Sequence, residues 1–101
     1  MSPHNQDFLR GFVKCYVLWR CSQPEAYGLK MLEEAAALDW RISPGTLYPM
    51  LATLLEERDV TVAPQLVGGK WRKIYRLTPK GRRELGEVRE RLALLSRLLD
   101  R

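Results

Sequence analysis

Apolar residues recur at three- and four-residue spacing in four stretches of the chain, and the segment between the third and fourth reads as a hairpin. The spacing predicts helices over about Phe8 to Cys21, Glu25 to Ala37, Pro44 to Arg58 and Pro79 to Leu99, with a break at Ser22 to Pro24. Two strands are expected over about Val60 to Val67 and Trp71 to Leu77, joined through the turn-forming pair Gly68-Gly69. Ser43-Pro44 and Thr78-Pro79 are start signals, because a hydroxyl can cap open backbone N–H groups and proline's missing donor does no harm in a first turn. Pro64 cannot donate to a ladder, so the first strand is expected at an edge or with a bulge.

Within the third helix, Leu47, Met50, Leu51, Leu54 and Leu55 gather on one stripe that faces a core. The other side carries Thr46, Pro49, Ala52, Thr53 and Glu56, with Tyr48 near the boundary. Small and hydroxylated side chains let a helix lie close to base edges and phosphates, although an ordinary amphipathic helix with a solvated face has the same pattern.

The first and last helices are apolar beyond what a single core needs. In the first, Phe8, Phe12, Tyr16 and Trp19 share one side and Leu9, Val13 and Val17 another, leaving Asp7, Arg10, Gly11 and Lys14 as a narrow polar strip. Burial on two faces is met by packing inward on its own domain and outward on a partner's last helix. In the last helix, Leu85, Val88, Leu92, Leu95 and Leu99 follow steps of three, four, three and four, with Leu94 and Leu98 widening the row. Glu84, Glu87, Arg89, Glu90 and Arg91 fill the intervening positions. A helix from Pro79 to Leu99 is roughly 30 Å long and outreaches a compact three-helix core. Pairing of two copies is therefore expected, with packing on the first helix absorbing part of the row.

Charge sharpens this picture. Between Val60 and Arg83 there is no Asp or Glu, yet Lys70, Arg72, Lys73, Arg76, Lys80, Arg82 and Arg83 all lie there. Without those seven the remaining ten Lys and Arg stand against 12 acids, so a chain of net charge +5 keeps its positive charge in one place. A polyanion is the natural partner, since each cation that neutralises a phosphate releases counterions.

Tyr27-Gly28, then Ser43-Pro44-Gly45-Thr46-Leu47-Tyr48-Pro49, then Gly68-Gly69 with Arg72-Lys73-Ile74-Tyr75-Arg76-Leu77-Thr78 and Gly81, stand in an order that resembles the PadR-like winged-helix transcriptional regulators. The likeness covers roughly residues 8 to 100. It implies a dimeric, non-enzymatic protein that binds double-stranded DNA, usually a repressor and sometimes released by a small molecule near the dimer interface. Two departures stand out: Ala52-Thr53 where members often carry a basic pair, and Lys70-Trp71 in place of a Pro-rich wing tip.

The expected fold is mainly α with a small β-hairpin wing, a winged helix-turn-helix followed by a C-terminal dimerisation helix. Residues 1–78 would form the DNA-binding domain, the first helix also contributing to the dimer, and residues 79–101 the dimerisation helix. Candidate DNA-binding residues are Ser43, Thr46, Tyr48, Pro49 and Thr53 on the third helix and Lys70, Arg72 and Lys73 on the wing. Candidate dimerisation residues are Phe8, Phe12, Leu85, Val88, Leu92, Leu95 and Leu99. Phe12, Tyr16 and Trp19 read either as core or as the wall of a pocket for a small aromatic or apolar effector.

Other chemistry is sparse. The chain is the size of one small domain, for which stability borrowed from a partner is a reasonable expectation. No run approaches the roughly 18 apolar residues of a membrane span, and the N-terminal MSPHNQD lacks the pattern of a secretory leader, so a cytoplasmic protein is expected. His4 is the sole histidine, placed in an N-terminal tail, which leaves no His-based triad and, with two cysteines, no zinc set. Cys15 and Cys21 point to different faces of one helix and read as small buried hydrophobes, with thiol sensing as the alternative. Glu33-Glu34 and Glu56-Glu57-Asp59 read as solvated helix faces, and Gly68-Gly69-Lys70 lacks the further residues of a phosphate-binding loop. No cofactor is expected.

Overall fold

The computed structural model describes residues 3–101, with side chains from Asp7 onward; the expectations that rest on Met1, Ser2 and the His4 side chain lie outside the described residues. The elements run α1 (Pro3–Cys21), α2 (Gly28–Ala37), α3 (Pro44–Glu56), β1 (Val60–Val67), β2 (Lys70–Leu77) and α4 (Pro79–Leu99). α1 opens five residues before the predicted Phe8, on Pro3, the same first-turn use of proline seen at Pro44 and Pro79.

Other boundaries move for local reasons. Glu25 has φ +55°, which no helix tolerates, so α2 starts at Gly28 rather than Glu25. α3 ends at Glu56, two residues short of Arg58, because Arg58 turns to φ +64° and the Arg58 and Asp59 N–H groups fold back onto the Leu55 and Leu54 carbonyls at 3.0 and 2.9 Å. α2 ends by the same left-handed turn, with Asp39 at φ +62° and Trp40 N–H donating to the Ala35 carbonyl at 3.0 Å. The hydroxyl cap expected of Ser43 is not made; its Oγ donates instead to Thr46 Oγ1 at 3.0 Å. Thr78 does cap α4, accepting from Gly81 N–H at 3.1 Å while its hydroxyl donates to the Arg58 carbonyl at 2.6 Å.

The core lies where α1, α3 and the roots of the other elements meet. Val13, Val17, Leu18 and Cys21 of α1 pack on Met31 of α2 and on Leu47, Met50, Leu51 and Leu54 of α3, closed by Val60, Leu77 and Leu85. Burying side chains of this kind is worth about 1.5–3 kcal/mol each. The hairpin pairs Val60 with Leu77 through Val67 with Lys70 in unbroken antiparallel register, so the bulge allowed for Pro64 is absent and the edge-strand alternative holds. Gly68 and Gly69, at φ +56° and +81°, form the two-residue turn in which both positions need positive φ. Counting pairs back from that turn puts Pro64 at a position whose nitrogen points away from β2, where a missing donor is harmless.

Asp59, expected in a solvated acidic face, is wholly buried at the junction of α3, β1 and α4. Lys80 Nζ meets its Oδ1 at 2.9 Å and the Glu57 carbonyl at 3.0 Å, and the Asp59 backbone carbonyl accepts from Thr78 N–H at 3.0 Å. Asp59 Oδ2 and Glu84 Oε2 are both buried without a donor, and Lys14 of α1 stands 3.8 Å from Glu84, too far for a hydrogen bond. A carboxyl group left in this way is easier to bury protonated than charged. Burial raises the Glu84 pKa, the neighbouring Asp59 carboxyl adds to the rise, and Lys14 and Lys80 oppose it.

A raised carboxyl binds its proton more tightly folded than unfolded. Its stabilising contribution is full below the ordinary Glu value of about 4.3 and is lost as pH climbs through the raised folded value. Glu84→Gln, neutral at every pH, is therefore expected to gain stability over the parent at pH 7 and to lose that advantage toward pH 4. Urea midpoints across this range test it; a difference independent of pH would mean that the Glu84 pKa is not raised in the fold.

Candidate nucleic-acid interface

The outer surface of α3, the first residues of α2 and the hairpin share one side of the molecule, and a buried arginine organises their junction. Arg20, 3% exposed at the end of α1, donates to Glu34 Oε1 at 2.7 Å and to the Pro24 and Glu25 carbonyls at 2.9 and 3.3 Å. Glu34 is thus an ion-pair partner and not simply solvated. The loop so fixed presents the Ala26 carbonyl to Tyr75 N–H of β2 at 2.8 Å, and Tyr27, whose ring lies 4.7 Å under the Arg72 guanidinium. Burial raises the pKa of Tyr75. The wing root is therefore tied to the α1–α2 loop by a backbone bond and a cation–π contact.

α3 carries its candidate residues on different flanks. Gly45, Pro49, Ala52 and Glu56 are exposed and, at 100° per residue, lie opposite the buried Leu47, Met50, Leu51 and Leu54. Tyr48, exposed, leans toward α2 and the wing and borders a cleft of about 290 Å³ with Tyr27, Gly28, Trp71, Arg72 and Lys73. Thr46 and the half-buried Thr53 lie on the other flank: Thr46 adjoins Ser43, Arg41 and Trp40, and Thr53 adjoins Arg10 and Lys14 of α1. The structure thus brings Tyr48 together with Arg72 and Lys73, leaves Pro49 at the crest, and sets Ser43, Thr46 and Thr53 apart from the wing.

Gly28 makes the Tyr48 position accessible, since a Cβ there would come within 2.5 Å of Tyr48 Cε1. Tyr48 is exposed and can swing away. Gly28→Ala is accordingly expected to change stability by less than about 1 kcal/mol while displacing the ring, to be read as a small urea shift beside a clear loss of duplex affinity. A large unfolding penalty would place the tyrosine among rigid groups.

Of the seven clustered cations, three are engaged: Lys80 with Asp59, Arg76 with Gln65 Oε1 at 3.0 Å, and Arg72 with the Tyr27 ring. Lys70 and Lys73 are exposed on the wing, and Arg82 and Arg83 on the first turns of α4, with no side-chain partner among the described residues.

The candidate dimerisation residues divide. Leu85 is buried in the chain's own core and Val88 is half-buried against it, whereas Leu92, Leu94, Leu95, Leu98 and Leu99 are exposed. Phe8, Leu9 and Phe12 are exposed on α1 and, with Trp40, border an open hollow of about 300 Å³. Tyr16 stacks edge-on to Trp40 at 5.3 Å and donates its hydroxyl to the Met31 carbonyl at 2.8 Å, while Trp19 lies beyond it at 6.2 Å. Phe12 therefore borders the hollow, Tyr16 backs it through Trp40, and Trp19 does not reach it. Trp40 had no sequence signal: its place comes from the turn that ends α2.

Cys15 and Cys21 are free thiols; burial pushes Cys21 up to about 12, which withholds the thiolate that sensing would need. Among the described residues no metal-binding cluster occurs, and no helix is long and apolar enough to cross a membrane.

A helical body with a proline-opened helix set beside a two-stranded basic ribbon defines a winged helix-turn-helix protein. The model of the transcriptional regulator PadR-like family matches residues 17–87, and the chain belongs to that family. It is 35% identical over 92 residues to the transcriptional regulator Rv3488 of Mycobacterium tuberculosis, covering 91% of this chain and 86% of the relative. Among solved structures it superposes on a PadR-like transcription factor of Bacteroides fragilis with TM-score 0.82 at 22% identity, over 98% and 97% of the two chains. A PadR-like transcriptional regulator of Bacillus cereus gives TM-score 0.81 at 25% identity over 93% of each chain. The protein is thus a transcriptional regulator of this family, a class that is not enzymatic.

Proposed function

We propose that the protein is a homodimeric, sequence-specific DNA-binding repressor that reads a pseudo-palindromic operator, with residues 1–78 as the reading domain and residues 79–101 as the pairing helix. The observation that carries this reading is the acid-free wing: Arg72 and Lys73 line one cleft with Tyr48 of α3, Lys70 is exposed at the start of β2, and no carboxylate interrupts the run from Val60 to Arg83. Small side chains at Gly45, Pro49 and Ala52 allow close approach to base edges, while Ser43, Thr46, Tyr48 and Thr53 offer hydroxyls to bases or phosphates from either flank.

The exposed leucines of α4 support pairing from Leu92 onward, joined by Phe8 and Phe12 of α1. In a two-fold dimer the two α3 helices would enter the major groove at half-sites about 34–36 Å apart, or a multiple of that. The hollow beside Phe12 and Trp40 supports a small aromatic or apolar effector held near that interface.

Sedimentation and gel-shift measurements on the purified chain, the latter against its own upstream region at two salt concentrations, test the proposal together. A dimer with salt-sensitive, sequence-dependent binding is expected. A monomer, or a dimer indifferent to duplex, would favour a winged helix that binds protein instead.

A further inference from the structure

The cleft between wing and helices is lined by Tyr27, Gly28, Leu29, Tyr48, Trp71, Arg72, Lys73 and Tyr75, four of them aromatic and two cationic. Trp71 is 72% exposed, and its cross-strand partner Leu66 is 55% exposed. Paired across the ribbon, Trp71 and Leu66 form one exposed apolar patch bordered by Arg72 and Lys73, and a contiguous apolar patch rimmed by charge marks an interaction surface where a single exposed side chain would not. The partner must be anionic, from the two cations of the cleft, and must also present an apolar surface, from the indole. One strand of duplex DNA has both, with phosphates along its edge and deoxyribose and base edges between them.

We infer that this cleft seats one DNA strand where recognition helix and wing converge, and that Trp71 packs on the sugar and base edges of the minor groove as a wedge. The inference rests on the DNA-binding reading above. Tyr27 acts on the same strand through Arg72: the guanidinium, held 4.7 Å from the ring centroid, keeps its charge at the cleft for phosphate oxygens. The Gly68-Gly69 turn stands in open space, where even an added Cβ would meet nothing within 4 Å, so the indole two residues beyond it is free to approach a groove about 6 Å wide. Apolar wedges of this kind read the ease with which a base step opens, so Trp71 contributes to choice of sequence without a hydrogen bond to a base.

The experiment is a duplex titration of the full chain, of Trp71→Ala and of Trp71→Phe, each at several salt concentrations, with the fluorescence difference between parent and Trp71→Phe isolating the indole. Trp71→Ala is expected to weaken binding about tenfold with an unchanged salt slope, because no cation is removed. Trp71→Phe should recover most of the loss, and the isolated indole emission should be quenched by duplex. If Trp71→Ala binds as the parent does, or the indole signal ignores duplex, the wedge is refuted while DNA binding stands. If the parent itself binds no duplex, the underlying reading and the wedge fall together. A loss accompanied by a shallower salt slope would mark a disturbed cationic wing and would also overturn the wedge.

Discussion

Gly81→Ala is expected to destabilise the fold by about 3 kcal/mol or more, a large share of the roughly 5–15 kcal/mol typical of a whole domain. Gly81 sits in the first turn of α4, and a Cβ built there would overlap the Asp59 carbonyl oxygen while standing 3.1 Å from Leu77 Cδ2. The carbonyl cannot retreat. It accepts from Thr78 N–H, while Asp59 N–H is bonded to the Leu54 carbonyl and the Asp59 side chain to Lys80. Within a helix, replacing glycine by alanine ordinarily gains up to about 1 kcal/mol, and here the sign reverses. Gly86, in the same helix with nothing within 4 Å, is the control: Gly86→Ala should stabilise. Urea denaturation of the two variants separates the effects, and similar midpoints would mean that the helix does not approach Asp59 as closely as described.

Removing the wing cations together, Lys70→Ala with Arg72→Ala and Lys73→Ala, is expected to have the largest effect on binding. Each phosphate contact contributes about 0.9 to the slope of log affinity against log salt. Three contacts thus account for a slope of about 2.7, and raising salt fourfold weakens them about 40-fold in combination. The triple variant should lose that sensitivity and bind all duplexes less well at low salt, operator and random sequence alike. Thr46→Ala, which removes no charge, should alter preference among sites instead. Equal salt slopes in parent and triple variant would show that the wing does not meet phosphates.

The elements of the fold were readable because their signals are local. The leucine stripe of α3, the two Ser/Thr-Pro starts and the Gly-Gly turn each act within a few residues, and the family motifs coincide with them. Pro3 could have been read as another helix start but stands in a polar stretch without an apolar period. Glu33, Glu56 and Glu57 are exposed as expected, whereas Asp59 and Glu34 depart from a solvated face because solvation is not a local property. Asp59 shows nothing in sequence to distinguish it from Glu56 or Glu57; its burial comes from Lys80 and Gly81, about 20 residues on, and Glu34 is held by Arg20 of another helix. The candidate interface was legible as a set of residue types but not as a surface. Tyr48 and Thr46 are two residues apart in the chain and on opposite flanks of α3, and only the neighbouring elements show which flank adjoins the wing.

The turn that ends α3 and the turn that begins α4 are stitched together at Asp59 and Thr78, with no slack chain between them beyond the hairpin itself. In any two-fold pair joined through the far end of α4, each groove-reading helix is therefore the rigid foot of its own pairing helix. The distance between the two feet is then a property of how the leucines interlock, so that repacking Leu92 or Leu95 would retune the operator spacing the pair can straddle without touching a single residue near DNA.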